Sequence, residues 1–364
     1  MHVSELDTPA LVVDLDILER NLERVARYSR EHGLRLRPHT KTHKSIRIGR
    51  RQVESGAAGL TVAKVSEAEV MLDAGPADLL VAFPIVGRAK LERLTEVARR
   101  VPVTVALDSD FAARQLSEAA RAAQVEVGVL AEVDVGLGRV GVPPGEPLVA
   151  LARAIGKLPN LHLEGVTFYP GQIKSVDEAG LRALGQVSEL VRSMLSDLRA
   201  AGIGGGIVSG GSTPTLFHSH EVEGLTEIRP GTYVYNDVNT VRSGACELAD
   251  CAASLLVTVV STARPGQMIV DGGSKTFSSD RLANPAEVTF GHVVEAPGAR
   301  FHKMNEEHGF IGLTEAGREF SIGERVHIIP NHICVAVNLH DRVYGVRGEE
   351  VEETWKVDGR GKLQ

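Results

Sequence analysis

Between residues 35 and about 233 one unit recurs: a short apolar or β-branched run, a small or polar turn, then a stretch whose apolar positions return at helical spacing. The runs are "LRLRPHTK", "LTVAKV", "LLVAFP", "VPVTVAL", "VEVGVLAEVD", "LHLEGVTFY", "GIVSGGS" and "LTEIRPGTYV", eight in all. Helical candidates between them include "SIRIGRRQVES", "SEAEVMLDAG", "GRAKLERLTEVARR", "DFAARQLSEAARAAQ", "EPLVALARAIGKL" and "DEAGLRALGQVSELVRSMLSDLRAAG". Several carry Asp, Glu or Ser near the first turn, where unpaired backbone N–H groups need acceptors. Eight strands alternating with helices predict an α/β fold, a (β/α)8 TIM-like barrel over residues 12–243. A doubly wound open sheet is the competing architecture, but it does not call for eight strands.

After residue 243 the helical spacing stops. "CAASLLVTVVSTAR", "GQMIVDGG", "AEVTFGHVVE", "EHGFIGL", "RVHIIPNHICVAVNL" and "DRVYGVR" follow with turn residues between them, which predicts a C-terminal antiparallel β domain over 244–364. The leading segment "VSELDTPALVVD" can add a strand to either part, and residues 1–11 are left open on that account.

Composition narrows the function classes. The 364 residues are 43% hydrophobic and 24% charged with 38 glycines, the profile of a folded globular chain with room for a large core. A net charge of -7, scattered basic residues and 4% aromatics leave neither a stripe for a phosphate backbone nor stacking platforms, so no nucleic-acid partner is expected. No leader pattern opens the chain and no run of about 20 apolar residues occurs, so no membrane partner and a cytoplasmic location are expected. Three cysteines, Cys246, Cys251 and Cys334, without a C-x-x-C, argue against a disulfide framework.

In such a barrel the chemistry sits at the C-terminal ends of strands. Lys41 falls at that end of the first strand, beside Arg37, His39 and His43. Neighbouring positive charge and desolvation would make its amine a nucleophile near neutral pH; a solvated charge at a helix entry is the equal alternative. The seventh strand ends in "SGGSTPT" (Ser209–Thr215) and the eighth in "RPGTY" (Arg229–Tyr233). Glycines and hydroxyls there form a candidate anion cup, though glycine turns that merely close a barrel would look alike. A Schiff-base lysine on strand one with a monophosphate cup after strands seven and eight describes a pyridoxal 5'-phosphate (PLP) site.

Five motifs in order, "RPHTKTHK", "SGGSTPTLFHSHEV", "TEIRPGTYVYND", "DGGSKTFSSD" and "IIPNHICVAVNLHD", resemble the D-threonine aldolase and D-serine dehydratase family, alanine-racemase-type (fold type III) PLP enzymes. The resemblance implies that Lys41 carries the cofactor, with His39, Tyr169, Ser212, Thr213, Gly231, Thr232 and Tyr233 around it, and that Lys44 is a surface or supporting charge. It also implies a divalent metal ion held by a His-x-Cys pair, which His332 and Cys334 match. On a strand, a spacing of two would put both side chains on one face. Zinc is the expected ion, with manganese or magnesium as alternatives. A homodimer and a small amino acid substrate follow from the same resemblance.

The implied activity is that of a lyase on D-configured β-hydroxy-α-amino acids. Dehydration with deamination to an α-keto acid and ammonia is favoured over retro-aldol cleavage to glycine and an aldehyde. His-x-Cys resembles the dehydratases of the family, and "FYPGQIK" places Gln172 where an aldolase is expected to offer a histidine base; His218 and His220 are the alternatives for that base. A racemase and a non-catalytic PLP carrier are the remoter readings. Asp134 and Arg139 in "DVGLGRVG" are candidates for the pyridine ring or the substrate carboxylate, or else a turn. "DGGSK" (Asp271–Lys275) is a candidate to approach the site.

Overall fold

A computed structural model of the chain describes residues 1–280, 282, 289–314 and 318–364. The chain divides into two compact units. One, the sheet unit, comprises Met1–Glu23, Thr42–Ser45 and Thr232–Gly361; the other, the barrel unit, comprises Arg24–Lys41, Ile46–Gly231 and Lys362–Gln364. Strand β1 (Ala10–Asp14) opens the sheet unit and leads into helix α1 (Leu15–Glu31), which the apolar positions Leu15, Leu18, Leu22, Val25 and Ala26 bury along one stripe. This helix is absent from the sequence reading.

All eight predicted runs of the barrel become strands: β2 (Arg35–Leu36), β3 (Leu60–Val62), β4 (Leu79–Val81), β5 (Val103–Leu107), β6 (Val127–Val133), β7 (Leu161–Phe168), β8 (Ile207–Gly210) and β9 (Glu227–Ile228). They pair in parallel in the order β2-β9-β8-β7-β6-β5-β4-β3, and a parallel bridge from His39 to Thr61 joins the two ends of that order. Every residue of β3, β4, β5 and β6 is buried, as expected of parallel strands covered on both faces. The six predicted helices are α2 (Ile46–Glu54), α3 (Val65–Met71), α4 (Arg88–Ala98), α5 (Asp110–Ala123), α6 (Glu146–Ile155) and α7 (Glu178–Ala200). Caps explain two of the starts: the Ser109 hydroxyl accepts the N–H of Ala112, and the Asp177 carboxylate accepts that of Gly180. Gly165, at φ +154°, allows β7 and β8 to pair, since a Cβ there would lie 1.9 Å from the Ile207 carbonyl oxygen.

The barrel interior holds a charged network. Arg37, buried, donates to Glu227 (2.9 Å) and Asp78 (2.5 Å). Glu227 also accepts from the Ser209 hydroxyl (2.6 Å), which in turn accepts from Arg229 (2.5 Å). Burial raises the Asp78 carboxyl above its ordinary range, with Arg37 opposing the shift.

The sheet unit is built from β1 with β10 (Ala253–Ser261), β11 (Gln267–Val270), β12 (Gly291–Val293), β13 (Arg300–Met304), β14 (Gly309–Gly312), β15 (Arg325–Pro330), β16 (Arg342–Arg347) and β17 (Glu350–Lys356). Among the described residues these make a nine-stranded sheet, its main path running β13-β14-β11-β10-β1-β16-β17 with β15 on β10 and β12 on β15. β1 is antiparallel to β10 and parallel to β16, which settles where the leading segment goes. Residues 286–288 of the expected strand "AEVTFGHVVE" lie outside the described residues.

Helices also occur here: α8 (Val238–Arg242), α9 (Ser274–Phe277) and α10 (Ile333–Leu339). The last corrects the reading of "RVHIIPNHICVAVNL" as one strand. The strand stops at Pro330, and Ile333, Ala336 and Val337 bury themselves at spacings of three and four, which only a helix turns to one side.

Candidate active site

In the barrel unit the predicted groups follow the strand ends. His39 sits where the strand order closes: its N–H donates to the Pro230 carbonyl (3.0 Å), and its Nδ1 accepts the N–H of Lys41 (3.3 Å). Lys41 is exposed, as in the solvated alternative of the two readings and not as a desolvated amine. The expected cationic surroundings are also different. Arg37 is held in the interior by Glu227 and Asp78, because a guanidinium buried there requires carboxylates. His43, in the sheet unit, is fully buried and accepts the N–H of Ser45 at Nδ1 (3.1 Å). Lys44 is not a surface charge. It is buried, takes the left-handed conformation (φ +49°), and donates from Nζ to the Gly359 carbonyl (3.3 Å).

The loops after β8 and β9 are tied together. The Gly231 N–H donates to the Thr213 hydroxyl (3.3 Å), the Arg229 N–H donates to the Gly210 carbonyl (3.2 Å), and the Ser212 and Thr215 hydroxyls lie 3.0 Å apart. Gly211 turns the first loop at φ +87°, a conformation side chains disfavour. Ser212, Thr213 and Gly231 are buried in this small, side-chain-poor turn, whose hydroxyls suit an anion.

Tyr169 follows β7 and lies under the Arg139 guanidinium, 4.9 Å from ring centre to carbon. Asp134 accepts the N–H groups of Gly136 and Gly138 (both 3.0 Å), first Gly138 and then Gly136 holding its carboxyl below the usual range, so it serves as a turn residue. Gln172 donates from Nε2 to the Val135 carbonyl (2.8 Å), and its buried Oε1 has no partner among the described residues. His218 pairs with Glu221 (2.7 Å), while His220 stacks on His32 (3.9 Å between centres) and meets the Tyr28 hydroxyl (2.8 Å). Both alternative bases thereby have partners, Glu221 for His218 and His32 with Tyr28 for His220.

In the sheet unit a second cluster forms around His332 and Cys334. They do not share a strand face: His332 is the cap residue of α10 and Cys334 lies in its first turn. The His332 ring meets the Asp237 carboxylate, Nδ1 to Oδ2 at 3.0 Å. Asp237 is fully buried and held by four donors: His332 Nδ1–H, the Ile333 N–H (3.1 Å), and the Thr240 N–H and hydroxyl (2.8 and 2.7 Å). With Nδ1 spent on the carboxylate, Nε2 is the nitrogen left for Cys334. The Cys334 thiolate first, then hydrogen bonds to Asp237 and Cys334, push the His332 imidazole up to about 11 against the opposing effect of burial. Nitrogen and sulfur thus lie together as two donors of opposite charge. A ring nitrogen fixed by a carboxylate, beside a thiolate, is the donor set of a soft or borderline metal.

Among the described residues no group of three or more His, Cys, Asp or Glu side chains is placed to hold a metal. The Cys334 sulfur lies 3.1 Å from the Thr42 hydroxyl and 3.8 Å from that of Thr232. Tyr233 is buried beside Thr232 in a short turn, Thr232–Val234.

Asp237 escaped the sequence reading although "TYVYND" contains it. Its signal was an aspartate capping the short helical run "VNTVR". Asp271, by contrast, anchors a turn, accepting from the Thr258 N–H (2.8 Å) and the Thr8 hydroxyl (2.6 Å), and Lys275 pairs with Glu307 at the surface (2.7 Å). No helix among the described residues is long and apolar enough to cross a membrane.

Comparison with known proteins adds the following. Residues 13–238 match the alanine racemase N-terminal domain family, and residues 252–346 match a putative serine dehydratase domain. The chain is 32% identical to 3-hydroxy-D-aspartate aldolase of Paracoccus denitrificans (strain Pd 1222), covering 100% of this chain and 94% of that one. The structure of D-threonine aldolase from Filomicrobium marinum superposes with a TM-score of 0.92 at 33% identity, covering 99% and 98% of the two chains. That of D-threo-3-hydroxyaspartate dehydratase from Delftia sp. superposes with a TM-score of 0.90 at 31% identity, covering 98% of each. Two variants of D-threo-3-hydroxyaspartate dehydratase also match. One has a histidine replaced by alanine; the other, in a metal-free form, has a cysteine two positions later replaced.

Proposed function

Because this chain belongs to the D-threonine aldolase and D-serine dehydratase family of alanine-racemase-type enzymes, whose members among its relatives are lyases, we propose that it dehydrates and deaminates D-configured β-hydroxy-α-amino acids. Lys41 Nζ holds PLP covalently, and the Ser212 and Thr213 hydroxyls with the Gly231 loop hold its phosphate. His332 Nε2 and Cys334 Sγ hold a divalent ion, for which zinc suits the donor set. When bound, PLP delocalises the electron pair left at the α-carbon, and the metal ion polarises the β-hydroxyl. Lys41 Nζ, as a free amine, would be the base that takes the α-proton. The β-hydroxyl departs with its bonding pair, and later addition of water to the imine yields the α-keto acid and ammonia.

The observation that carries this reading is the His332–Asp237–Cys334 cluster, because it repeats the histidine and cysteine, two positions apart, that the dehydratase variants replace. Gln172 supports it. Retro-aldol cleavage requires a base at the β-hydroxyl, and an amide has no basic atom at neutral pH. The aldolase relatives, equally similar at 32% identity, favour cleavage as the second reading.

Incubation of the metal-loaded holoenzyme with D-threonine separates the outcomes. The expected products are 2-oxobutanoate and ammonia, and Lys41→Ala should abolish them together with the visible absorbance of the bound cofactor. Glycine and acetaldehyde would replace dehydration with cleavage. L-allo-Threonine, the epimer at the α-carbon, would indicate a racemase, and retained cofactor without turnover a carrier.

A further inference from the structure

Cys334 has two hydroxyl neighbours, and both occupy telling positions in the chain. Thr42, fully buried with its Oγ1 3.1 Å from the sulfur, is the residue after Lys41. Thr232, with its Oγ1 3.8 Å from the same sulfur, is the residue after Gly231, whose N–H reaches Thr213 in the cup. A thiolate is purely an acceptor, so when Cys334 is ionised both hydroxyls must donate to it. Hydrogen bonds to a ligating sulfur draw off charge and fix its direction, as they do for other metal ligands. Threonine suits the task because its branched β-carbon restricts χ1, so the hydroxyl is held in place rather than searching for the sulfur.

We propose that Thr42 and Thr232 are positioning residues that aim the Cys334 sulfur at the metal ion and, through the peptide bonds to Lys41 and Gly231, couple metal binding to cofactor binding. This rests on the metal and PLP assignments above. Consecutive Cα atoms are about 3.8 Å apart across a trans peptide, so a hydroxyl that tracks the sulfur constrains the backbone of its predecessor. Such coupling is reciprocal: the factor by which the ion tightens PLP binding equals the factor by which PLP tightens the ion.

The test uses the full chain stripped of metal and titrated with Co²⁺ alone, read by the near-ultraviolet thiolate-to-cobalt charge-transfer band and by the Kd. Thr42→Val keeps the shape and deletes the hydroxyl. It should shift the band and raise the Kd about tenfold or more, whereas Thr42→Ser should stay near the wild type. Thr232→Val, with the longer contact, should show a smaller change of the same kind. A Thr42→Val protein with the wild-type band and Kd overturns the positioning role. PLP affinity is then measured with and without Co²⁺. The ratio should exceed one in the wild type and fall towards one in Thr42→Val, and a ratio the substitution leaves unchanged overturns the coupling. In a Cys334→Ala background the Thr42→Val substitution should leave PLP affinity unaltered; a loss there as large as in the parent means a purely structural threonine. Wild-type protein that shows no thiolate band with Co²⁺ removes the metal assignment itself, and this inference with it.

Discussion

Two buried polar assemblies, one in each unit, treat charge in opposite ways. In the barrel interior Arg37, Glu227, Asp78, Ser209 and Arg229 satisfy one another, each charged head meeting an opposite charge or a hydrogen-bonding partner. In the sheet unit Asp237 is saturated, but His332 Nε2 and Cys334 Sγ lie beside it with no such closed set of charged partners among the described residues. A closed network of this kind belongs to the fold, since removing one of its charged members leaves a buried partner with less compensation. An open pair next to a saturated carboxylate is what a binding site requires. Burial by itself therefore does not mark function; the valence left over does.

The contrast can be broken most severely on the closed side. Glu227→Ala leaves Arg37 with one carboxylate and the Ser209 hydroxyl with no acceptor in the interior. It should cost about 3–5 kcal/mol of stability, read from urea unfolding, while turnover per folded molecule is retained. An unchanged midpoint would mean that the interior charges are not interdependent. On the open side, Asp237→Asn should weaken metal binding about 10–100-fold with a smaller loss of stability than Glu227→Ala, checked by metal titration beside thermal unfolding. Metal affinity equal to wild type would show that the carboxylate does not orient the ring.

A further expected effect is the pH dependence of the metal-stripped protein. The His332 imidazole lies near 11 in the folded chain against an ordinary value of 6.5. Its folded value is the higher, so its stabilising contribution is complete below about 6.5 and is lost as pH climbs towards 11. Stability of the stripped protein should decline across that window, and His332→Asn should flatten the decline in unfolding midpoints measured at each pH.

Local pattern alone was enough for the eight barrel strands, their intervening helices and the glycine- and hydroxyl-rich turns at Ser212, Thr213 and Gly231, because burial on both faces of a parallel strand and the needs of a tight turn write themselves into adjacent residues. Chain neighbours could not reveal which distant groups would meet. Arg37 looked like a cation beside Lys41 until β2 and β9 became neighbours and put Glu227 against it, 190 residues away. The spacing of His332 and Cys334 fits a strand or a helix start equally, and only the packing of Ile333, Ala336 and Val337 chose the helix. Asp237 became the partner of His332 across 95 residues for the same reason: periodicity is a property of a segment, whereas the pairing of charges depends on which segments the core brings side by side.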